Sequence, residues 1–291
     1  MTAWKSSLSS PTDPPDTAAP QPPMAHPTRP GDDAADLPPN FARSAMILGL
    51  EGLRRLQSSA IMIIGLGAVG SYATEALARA GVGTLYLVDF DSVQASNINR
   101  QLFALHSTIG QAKTEVARQR VLDINPACQV HTRQTFVNHD TLPDLLALQP
   151  DFILDAIDSL NPKVNLLQAA TQAHIPIVAS MGAARRSDPS AIRISDINDT
   201  ERCPLARAVR KALRRRGIHR GIPCVYSVEE ALDATADEDP THETAPPRRG
   251  RHRQTLGSLP TLTGIFGLTA ANLIIQRIVA REDLHQAPTP K

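Results

Sequence analysis

Cysteine and aromatic residues are scarce in this chain of 291 residues. The first shortage limits the metal sites and disulfides that it can form, and the second limits the composition of its core. Its three cysteines, Cys128, Cys203 and Cys224, form no C-x-x-C pair, so the sequence offers no zinc site of the usual spacing. An odd number of cysteines also argues against a disulfide framework. Aromatic residues make up 3% of the chain and hydrophobic residues 42%, so we expect a sizeable core of mainly aliphatic side chains.

Long uninterrupted apolar runs are also missing. The opening residues contain no apolar stretch long enough for a signal peptide, so we expect a cytoplasmic protein in a reducing compartment. The long apolar segment 261–280 is interrupted by polar residues, among them Asn272 and Arg277. We therefore predict a core helix or a dimer contact there, and no membrane span.

Proline and charge are unevenly distributed, although the net charge is only +1. Ten of the 24 prolines fall in residues 1–40, which we predict to be a disordered tail. Residues 229–255 are first acidic and then basic, which indicates a mobile loop inserted in a domain that spans 41–281. We expect residues 282–291 to form a flexible C-terminus.

Between these segments, strand and helix patterns alternate. This alternation predicts an α/β fold with a Rossmann-like, doubly wound and mostly parallel sheet, an antiparallel extension and a C-terminal helix. The predicted strands are 60–64, 84–89, 129–136, 152–157 and 175–180, with further strands near 191–197 and 223–228. The predicted helices between them are 69–80, 110–124, 139–148 and 161–173.

A glycine motif follows the first of these strands. Gly65, Gly67 and Gly70 have the G-x-G-x-x-G spacing, in which glycine permits a tight turn and close approach of the backbone to phosphate. The helix that follows would present its N-terminus to an anion. Asp89 ends the second strand nineteen residues beyond Gly70, the spacing at which a carboxylate binds ribose hydroxyls. These features predict a nucleotide-binding βαβ unit.

Two cations and two acids distinguish between the possible nucleotides. Arg100 and Lys113 follow the second strand, where they could converge on a triphosphate. Asp155 and Asp158 end a later strand, where a carboxylate could hold Mg²⁺. Each residue alone is also explained as a surface charge or a cap. Together they favour cleavage between phosphates over the hydride transfer of an NAD-dependent oxidoreductase.

Another charge feature is a basic segment without a single acid, residues 202–220. On a helix that begins near Pro204, one face would be basic, while Leu205, Val209 and Leu213 would lie on another. A solvated surface helix is the simpler explanation, but this density of positive charge favours a polyanionic partner such as nucleic acid. The residues expected to contact nucleic acid are Arg207, Arg210, Lys211, Arg214 and Arg215.

Several segments resemble those of the ubiquitin-activating-type, or ThiF-like, adenylating enzymes. They are GLGAVGS, DFDSVQASNINRQ, GQAKTEVA and DAIDS, and the resemblance covers roughly residues 41–280. Within this family the sequence is most similar to the tRNA threonylcarbamoyladenosine dehydratases. The resemblance implies ATP and Mg²⁺ as cofactors and tRNA as the partner. It implies an ATP-dependent cyclisation of threonylcarbamoyladenosine beside the anticodon, through activation of the threonyl carboxylate.

The resemblance also implies roles for individual residues. The three glycines would cradle the nucleotide and Asp89 would bind its ribose, while Asn97, Arg100, Gln101 and Lys113 would lie at the phosphates. Asp158 would bind the metal and Asp155 would support it. Arg43 resembles an arginine that reaches the partner subunit's nucleotide, which implies a homodimer. A cysteine desulfurase-type protein is a further possible partner.

Two segments depart from the family pattern. Cys203 stands before Pro204 where an acid is expected, and at a helix start near arginines it could be a nucleophile with a lowered pKa. Cys224 lies in a predicted strand and is most simply a buried small hydrophobic residue. Met181–Arg186 retains one glycine, Gly182, of an expected glycine-rich stretch. Two alternatives to the dehydratase stay open besides the oxidoreductase: activation of a small carrier protein that ends in Gly-Gly, and an RNA-binding adaptor without catalysis.

Overall fold

The computed structural model describes residues 38–232 and 256–280. Most of the predicted tail, most of the predicted loop 229–255 and the predicted C-terminal segment lie outside these residues. The tail and loop assignments therefore stay predictions.

A single seven-stranded sheet forms the centre of the described structure. Its strand order is β3-β2-β1-β4-β5-β7-β6, and every neighbouring pair is parallel except β6 and β7. The central strands are apolar and fully buried because helices cover both faces, as parallel sheets require. The strands are β1 (Ala60–Ile64), β2 (Thr84–Val88), β3 (Gln129–Arg133), β4 (Phe152–Asp155), β5 (Ile177–Ser180), β6 (Ile192–Asp196) and β7 (Pro223–Ser227).

Two hydrophobic cores lie on opposite faces of this sheet. One contains apolar side chains of α1, α2, α3 and α7, and the other those of α4, α5 and α6. The helices are α1 (Ala42–Ser58), α2 (Gly70–Ala80), α3 (Lys113–Ile124), α4 (Leu142–Leu146), α5 (Leu160–Gln172), α6 (Pro204–Arg214) and α7 (Pro260–Ala280). The predicted doubly wound fold with an antiparallel extension and a C-terminal helix is confirmed.

Helix α7 packs unusually close to α2. A Cβ on Gly267 would lie 2.3 Å from the Val69 carbonyl oxygen, and one on Gly264 would lie 3.2 Å from the Tyr72 ring. Of the helices in the described ranges, α7 is the one long and apolar enough to cross a membrane, but half of its most apolar window is buried inside the protein. This packing identifies α7 as the core helix that its polar interruptions predict.

Two differences from the sequence-based expectation concern how the elements are arranged. β7 is parallel to β5, so only the last pair of the sheet is antiparallel. Helix α1 precedes the first predicted strand and packs against α7 through Gly52, whose Cβ position lies 2.9 Å from Val279. Gly49, at φ +71°, interrupts the helical conformation within α1, which obscures the helical pattern in the sequence.

Candidate active site

The glycine motif forms the tight turn between β1 and α2. Gly65 has φ +93°, a left-handed conformation that favours glycine. A Cβ on Gly70 would lie 1.7 Å from the Gly65 carbonyl oxygen, so this position excludes any side chain. Gly67 differs, because its Cβ would meet only Gln101 Nε2 at 3.8 Å. The space beside Gly67 is therefore open toward the carboxyl edge of the sheet.

Asp89 lies beside this turn at the end of β2. Its two carboxylate oxygens accept N–H bonds from Leu66 at 2.7 Å and Asp91 at 2.8 Å. Burial raises the pKa of Asp89 above its ordinary value, against the opposing charge of Lys113 and the two N–H bonds. Each oxygen keeps lone pairs for another donor, so the carboxylate can accept hydroxyl groups while the backbone holds it in place.

The loop after β2 folds back over the glycine turn. Leu102 N–H donates to the Ser71 hydroxyl oxygen at 3.1 Å, which ties this loop to the first turn of α2. The Asn97 side-chain oxygen accepts the Gln94 N–H at 3.1 Å, and the side chain is buried. The structure therefore shows Asn97 ordering the loop. These contacts place Gln101 and the Gly67 turn next to each other.

The two cations predicted to bind phosphate differ in exposure and in hydrogen-bond partners. Lys113 begins α3, is 5% exposed, and donates through Nζ to Asp91 Oδ2 at 3.2 Å. Arg100 is more exposed and donates to the Ser96 carbonyl and the Asn99 side-chain oxygen. Asp91 was absent from the sequence prediction, although its place two residues after Asp89 puts it at the same sheet edge.

Of the two acids at the carboxyl end of β4, one is buried and the other is exposed. Asp155 is fully buried; its Oδ2 lies 2.5 Å from Lys163 Nζ and its Oδ1 accepts the Ile157 N–H at 3.0 Å. Burial raises the pKa of Asp155 and the Lys163 charge opposes that rise. Asp158 is exposed three residues further on. Both Asp155 oxygens are engaged, so the geometry suits a supporting role better than direct metal ligation.

The sequence alone does not predict a role for Lys163. It lies in the first turns of α5, where a lysine ordinarily indicates a solvated face, yet it is completely buried. No local pattern signals this burial, because it depends on how α5 packs against β4.

Helix α6 has a continuous basic surface, but its members make different contacts. Arg210 turns back toward the protein and donates to the Thr200 carbonyl at 2.7 Å. Arg214 donates to the Asn198 side chain at 2.6 Å. The other three cations are exposed and project from the same helix. Together the five residues line an open depression of about 490 Å³: Arg207, Arg210, Lys211, Arg214 and Arg215.

The remaining predicted residue is Arg43, which precedes Gly65 by 22 residues in the chain. It is exposed at the start of α1, three and four residues before Met46 and Ile47, which are 86% and 84% exposed. The three cysteines are all buried, and none of them forms a disulfide. Within residues 38–232 and 256–280, no three His, Cys, Asp or Glu side chains form a metal-binding group.

Comparison with known proteins gives consistent matches along most of the chain. The family model described as ThiF family matches residues 41–290. The tRNA threonylcarbamoyladenosine dehydratase of Bacillus subtilis strain 168 is 41% identical over 192 residues, which cover 66% of this chain and 76% of that protein. The Escherichia coli K12 protein of the same name is 32% identical over 251 residues, covering 83% and 94%.

A solved structure extends this similarity to the fold. The crystal structure of E. coli tRNA N6-threonylcarbamoyladenosine dehydratase, TcdA, in complex with ATP has a TM-score of 0.73 and 30% sequence identity. The match covers 84% of this chain and 95% of that chain.

Proposed function

The chain belongs to the ThiF family, and from this membership we propose that it is an ATP-dependent enzyme that dehydrates threonylcarbamoyladenosine in tRNA. One observation carries the proposal: the glycine turn, Asp89 and Lys113 lie at one sheet edge, with Arg100 in the loop that folds over the turn, in a chain whose relatives bear this enzyme's name. The ATP complex of the E. coli neighbour supports ATP as the nucleotide.

The chemistry joins activation of a carboxylate to an internal cyclisation. A threonyl carboxylate oxygen attacks the α-phosphorus of ATP, and the bond to the bridging oxygen breaks to release pyrophosphate. The neighbouring carbamoyl oxygen then attacks the acyl carbon, AMP leaves with the former carboxylate oxygen, and the carbamoyl nitrogen loses a proton. The nucleoside loses one water in total. The protein contributes mainly positioning and stabilisation of phosphate charge.

The nucleotide would lie across the turn between β1 and α2. The open space beside Gly67 lets a phosphate approach the backbone, and the α2 N-terminus favours its negative charge. Asp89, already held by two N–H groups, would accept the ribose hydroxyls. Arg100 and Lys113 would neutralise the phosphates, with Asn97 and Gln101 beside them. Lys113 would exchange its contact with Asp91 for a phosphate oxygen.

The carboxylates after β4 fit a Mg²⁺ ion that is bound chiefly through substrate. Mg²⁺ commonly takes one or two protein carboxylates and completes its coordination with water and phosphate oxygens. The exposed Asp158 can supply such a ligand, and Asp155 stays fixed below it by Lys163. When bound, the ion would offset negative charge on the phosphates of ATP.

The exposed cations of α6 would contact the tRNA backbone. The side chains of Arg207, Lys211 and Arg215 make no hydrogen bond or ion pair with other described residues, so binding phosphate costs these side chains no protein contact. Such contacts position the nucleic acid without reading its sequence. Arg210 and Arg214 would strengthen the positive field while they keep their contacts with Thr200 and Asn198.

A homodimer would explain the exposed apolar residues of α1. Met46 and Ile47 project almost fully from the chain beside Arg43. Burying them against a second copy would stabilise the dimer and carry Arg43 toward the partner's nucleotide. A cytoplasmic location and a possible cysteine desulfurase-type partner complete the proposal.

The test is direct conversion of modified tRNA. The protein is incubated with ATP, Mg²⁺ and bulk tRNA, the tRNA is digested, and the nucleosides are analysed by mass spectrometry. We expect ATP-dependent loss of one water from threonylcarbamoyladenosine. Arg100→Ala should remain folded and turn over at least about a hundredfold more slowly, because a phosphate-binding cation is lost. Near-normal turnover of this variant would contradict the role of Arg100.

The other activities predict different outcomes. A Gly-Gly carrier activator would show pyrophosphate exchange that needs the carrier protein and ignores tRNA. An RNA-binding adaptor would bind tRNA without consuming ATP. An oxidoreductase would bind NAD in preference to ATP.

A further inference from the structure

Arg186 is a buried cation without adequate partners. It lies in the loop after β5 and is only 3% exposed. Its one hydrogen bond runs from Nη2 to the Arg202 carbonyl oxygen at the long distance of 3.5 Å. Nε and Nη1 are buried and have no acceptor among the described residues. Burying charged donors without acceptors is costly, so this arrangement calls for an anion.

Glu229, an acid that the Arg186 charge acts on, does not satisfy these donors. Glu229 directs its carboxylate to Ser187 N and Oγ and to Asp188 N, at 2.9–3.0 Å. Its pKa is lowered, since the Asp188 and Ser187 N–H bonds and the Arg186 charge outweigh desolvation. Glu229 therefore senses the Arg186 charge but gives it no hydrogen bond.

The start of α6 adds a second anion-favouring feature. The carbonyl that Arg186 contacts belongs to Arg202, directly before the N-cap residue Cys203. No side chain caps this helix, which runs for 11 residues from Pro204. The first N–H groups of an uncapped helix carry partial positive charge. The Arg186 guanidinium therefore lies near this helix end, and both favour negative charge.

The loop that carries Arg186 follows β5 and begins at the same sheet edge as the proposed reaction site. β5 lies next to β4, and both strands end at the sheet edge that carries Asp155 and Asp158. Met181, which begins the loop, donates its N–H to Val225 and so continues the sheet at that edge. Neighbouring strands are about 4.8 Å apart, so a substrate beside Asp158 can extend toward this loop.

We propose that Arg186 and the first turn of α6 bind the threonyl carboxylate of the substrate before its activation. This inference rests on the proposed function. A carboxylate matches a guanidinium in shape and charge. The enclosure of Arg186 favours a terminal group, which can enter alone, over a phosphodiester flanked by two sugars. Arg186 is a specificity-determining residue in this account.

The experiment compares two anticodon stem-loops that differ only in the modification. Dissociation constants are measured for the threonylcarbamoyladenosine loop and for its unmodified counterpart, with wild type, Arg186→Gln, Arg186→Lys and Arg193→Gln. Arg193→Gln is the matched control, because it removes one exposed arginine from β6. The ATP-induced rise in melting temperature reports whether each variant is folded with an intact nucleotide site.

Wild type should prefer the modified loop, and Arg186→Gln should weaken binding of that loop by about tenfold or more, since a charged hydrogen bond is lost. Binding of the unmodified loop should not change. Arg186→Lys should retain part of the preference, and Arg193→Gln all of it. Equal weakening of both loops would assign Arg186 to a backbone phosphate and overturn the proposal. Unchanged binding of both loops would overturn it too.

A second measurement covers the case in which Arg186→Gln fails to fold. Wild type is titrated with the nucleoside threonylcarbamoyladenosine and with its methyl ester, which lacks the charge. The acid should bind more tightly, and equal affinities would overturn the proposal. A wild-type protein without dehydratase activity would refute the proposed function itself. An active wild type with an unaffected Arg186→Gln variant would refute only the carboxylate site.

Discussion

The ion pair between Asp155 and Lys163 allows a quantitative test of how the site is supported. Both side chains are completely buried, with Nζ and Oδ2 2.5 Å apart. Lys163→Met keeps most of the side-chain volume and removes the charge, which leaves a buried carboxylate with only the Ile157 N–H as a partner. Breaking a buried pair in this way costs about 3–5 kcal/mol. For a domain of this size, that cost lowers the melting temperature by about 6–20 °C.

The loss should depend on pH in a defined direction. Without Lys163, the pKa of Asp155 should rise further, because burial already raises it and the opposing charge is gone. An acid with a raised pKa in the folded state contributes stability below its unfolded pKa, and loses it as pH rises through the folded value. The deficit of Lys163→Met relative to wild type should therefore be larger at about pH 8 than at about pH 5.

The assay is chemical or thermal denaturation of nucleotide-free protein at both pH values. The control is the double variant Lys163→Met with Asp155→Asn, which removes both charges and retains an acceptor for the Ile157 N–H. This variant should recover most of the lost stability. A deficit below about 1 kcal/mol for Lys163→Met, or an equal deficit at both pH values, would refute the reasoning.

Three further predictions concern the glycine turn, α6 and the dimer. Gly70→Ala should destabilise the fold by about 3 kcal/mol or more, because its Cβ would strike the Gly65 carbonyl, whereas Gly67→Ala should melt normally and lose ATP affinity in calorimetry. Lys211→Ala should leave stability unchanged and reduce by about one the slope of log affinity for tRNA against log salt concentration. Arg210→Ala should lower the melting temperature, because it loses the bond to Thr200. The reverse pattern would contradict the separation of α6 cations into exposed residues and residues that contact the protein. Met46→Asp should shift the protein to monomers in sedimentation, and an unchanged dimer would exclude α1 from the interface.

Much of the fold is predictable from the sequence because the central strands are nearly continuous apolar runs with turn signals at their ends. β1, β2 and β4 begin where these runs predict, and their carboxyl ends bring the glycine turn, Asp89 and Asp155 to one edge. Order along the chain is enough for this prediction, since parallel strands connected by helices all end on the same side. The predicted strands end too late at β3 and β4, because local hydrogen bonds turn the chain away from the ladder. Thr135 N–H donates to the Arg133 carbonyl after β3, and Ile157 N–H donates to the Asp155 side chain after β4.

The charged interior is not predictable in the same way. Lys163 and Arg186 occur in polar stretches where a cation ordinarily faces water, and their burial depends on packing between distant segments. Arg210 is a case in which a residue predicted to face solvent instead contacts the protein. Its helical position places it on the basic face, but its long side chain bends back to Thr200. Helical periodicity predicts where a side chain begins and not which acceptor its charged end reaches.

The central claim is that the enzyme activates the threonyl carboxylate by adenylation. Transfer of an oxygen atom from this carboxylate to AMP tests it most directly. Modified tRNA is prepared with oxygen-18 in the threonyl carboxylate and incubated with the protein, ATP and Mg²⁺, and the released nucleotides are analysed by mass spectrometry. If the carboxylate attacks the α-phosphorus, each turnover should produce AMP with one oxygen-18 atom and a cyclised nucleoside that has lost one water. Label that appears in inorganic phosphate, or cyclisation with unlabelled AMP, would contradict activation by adenylation.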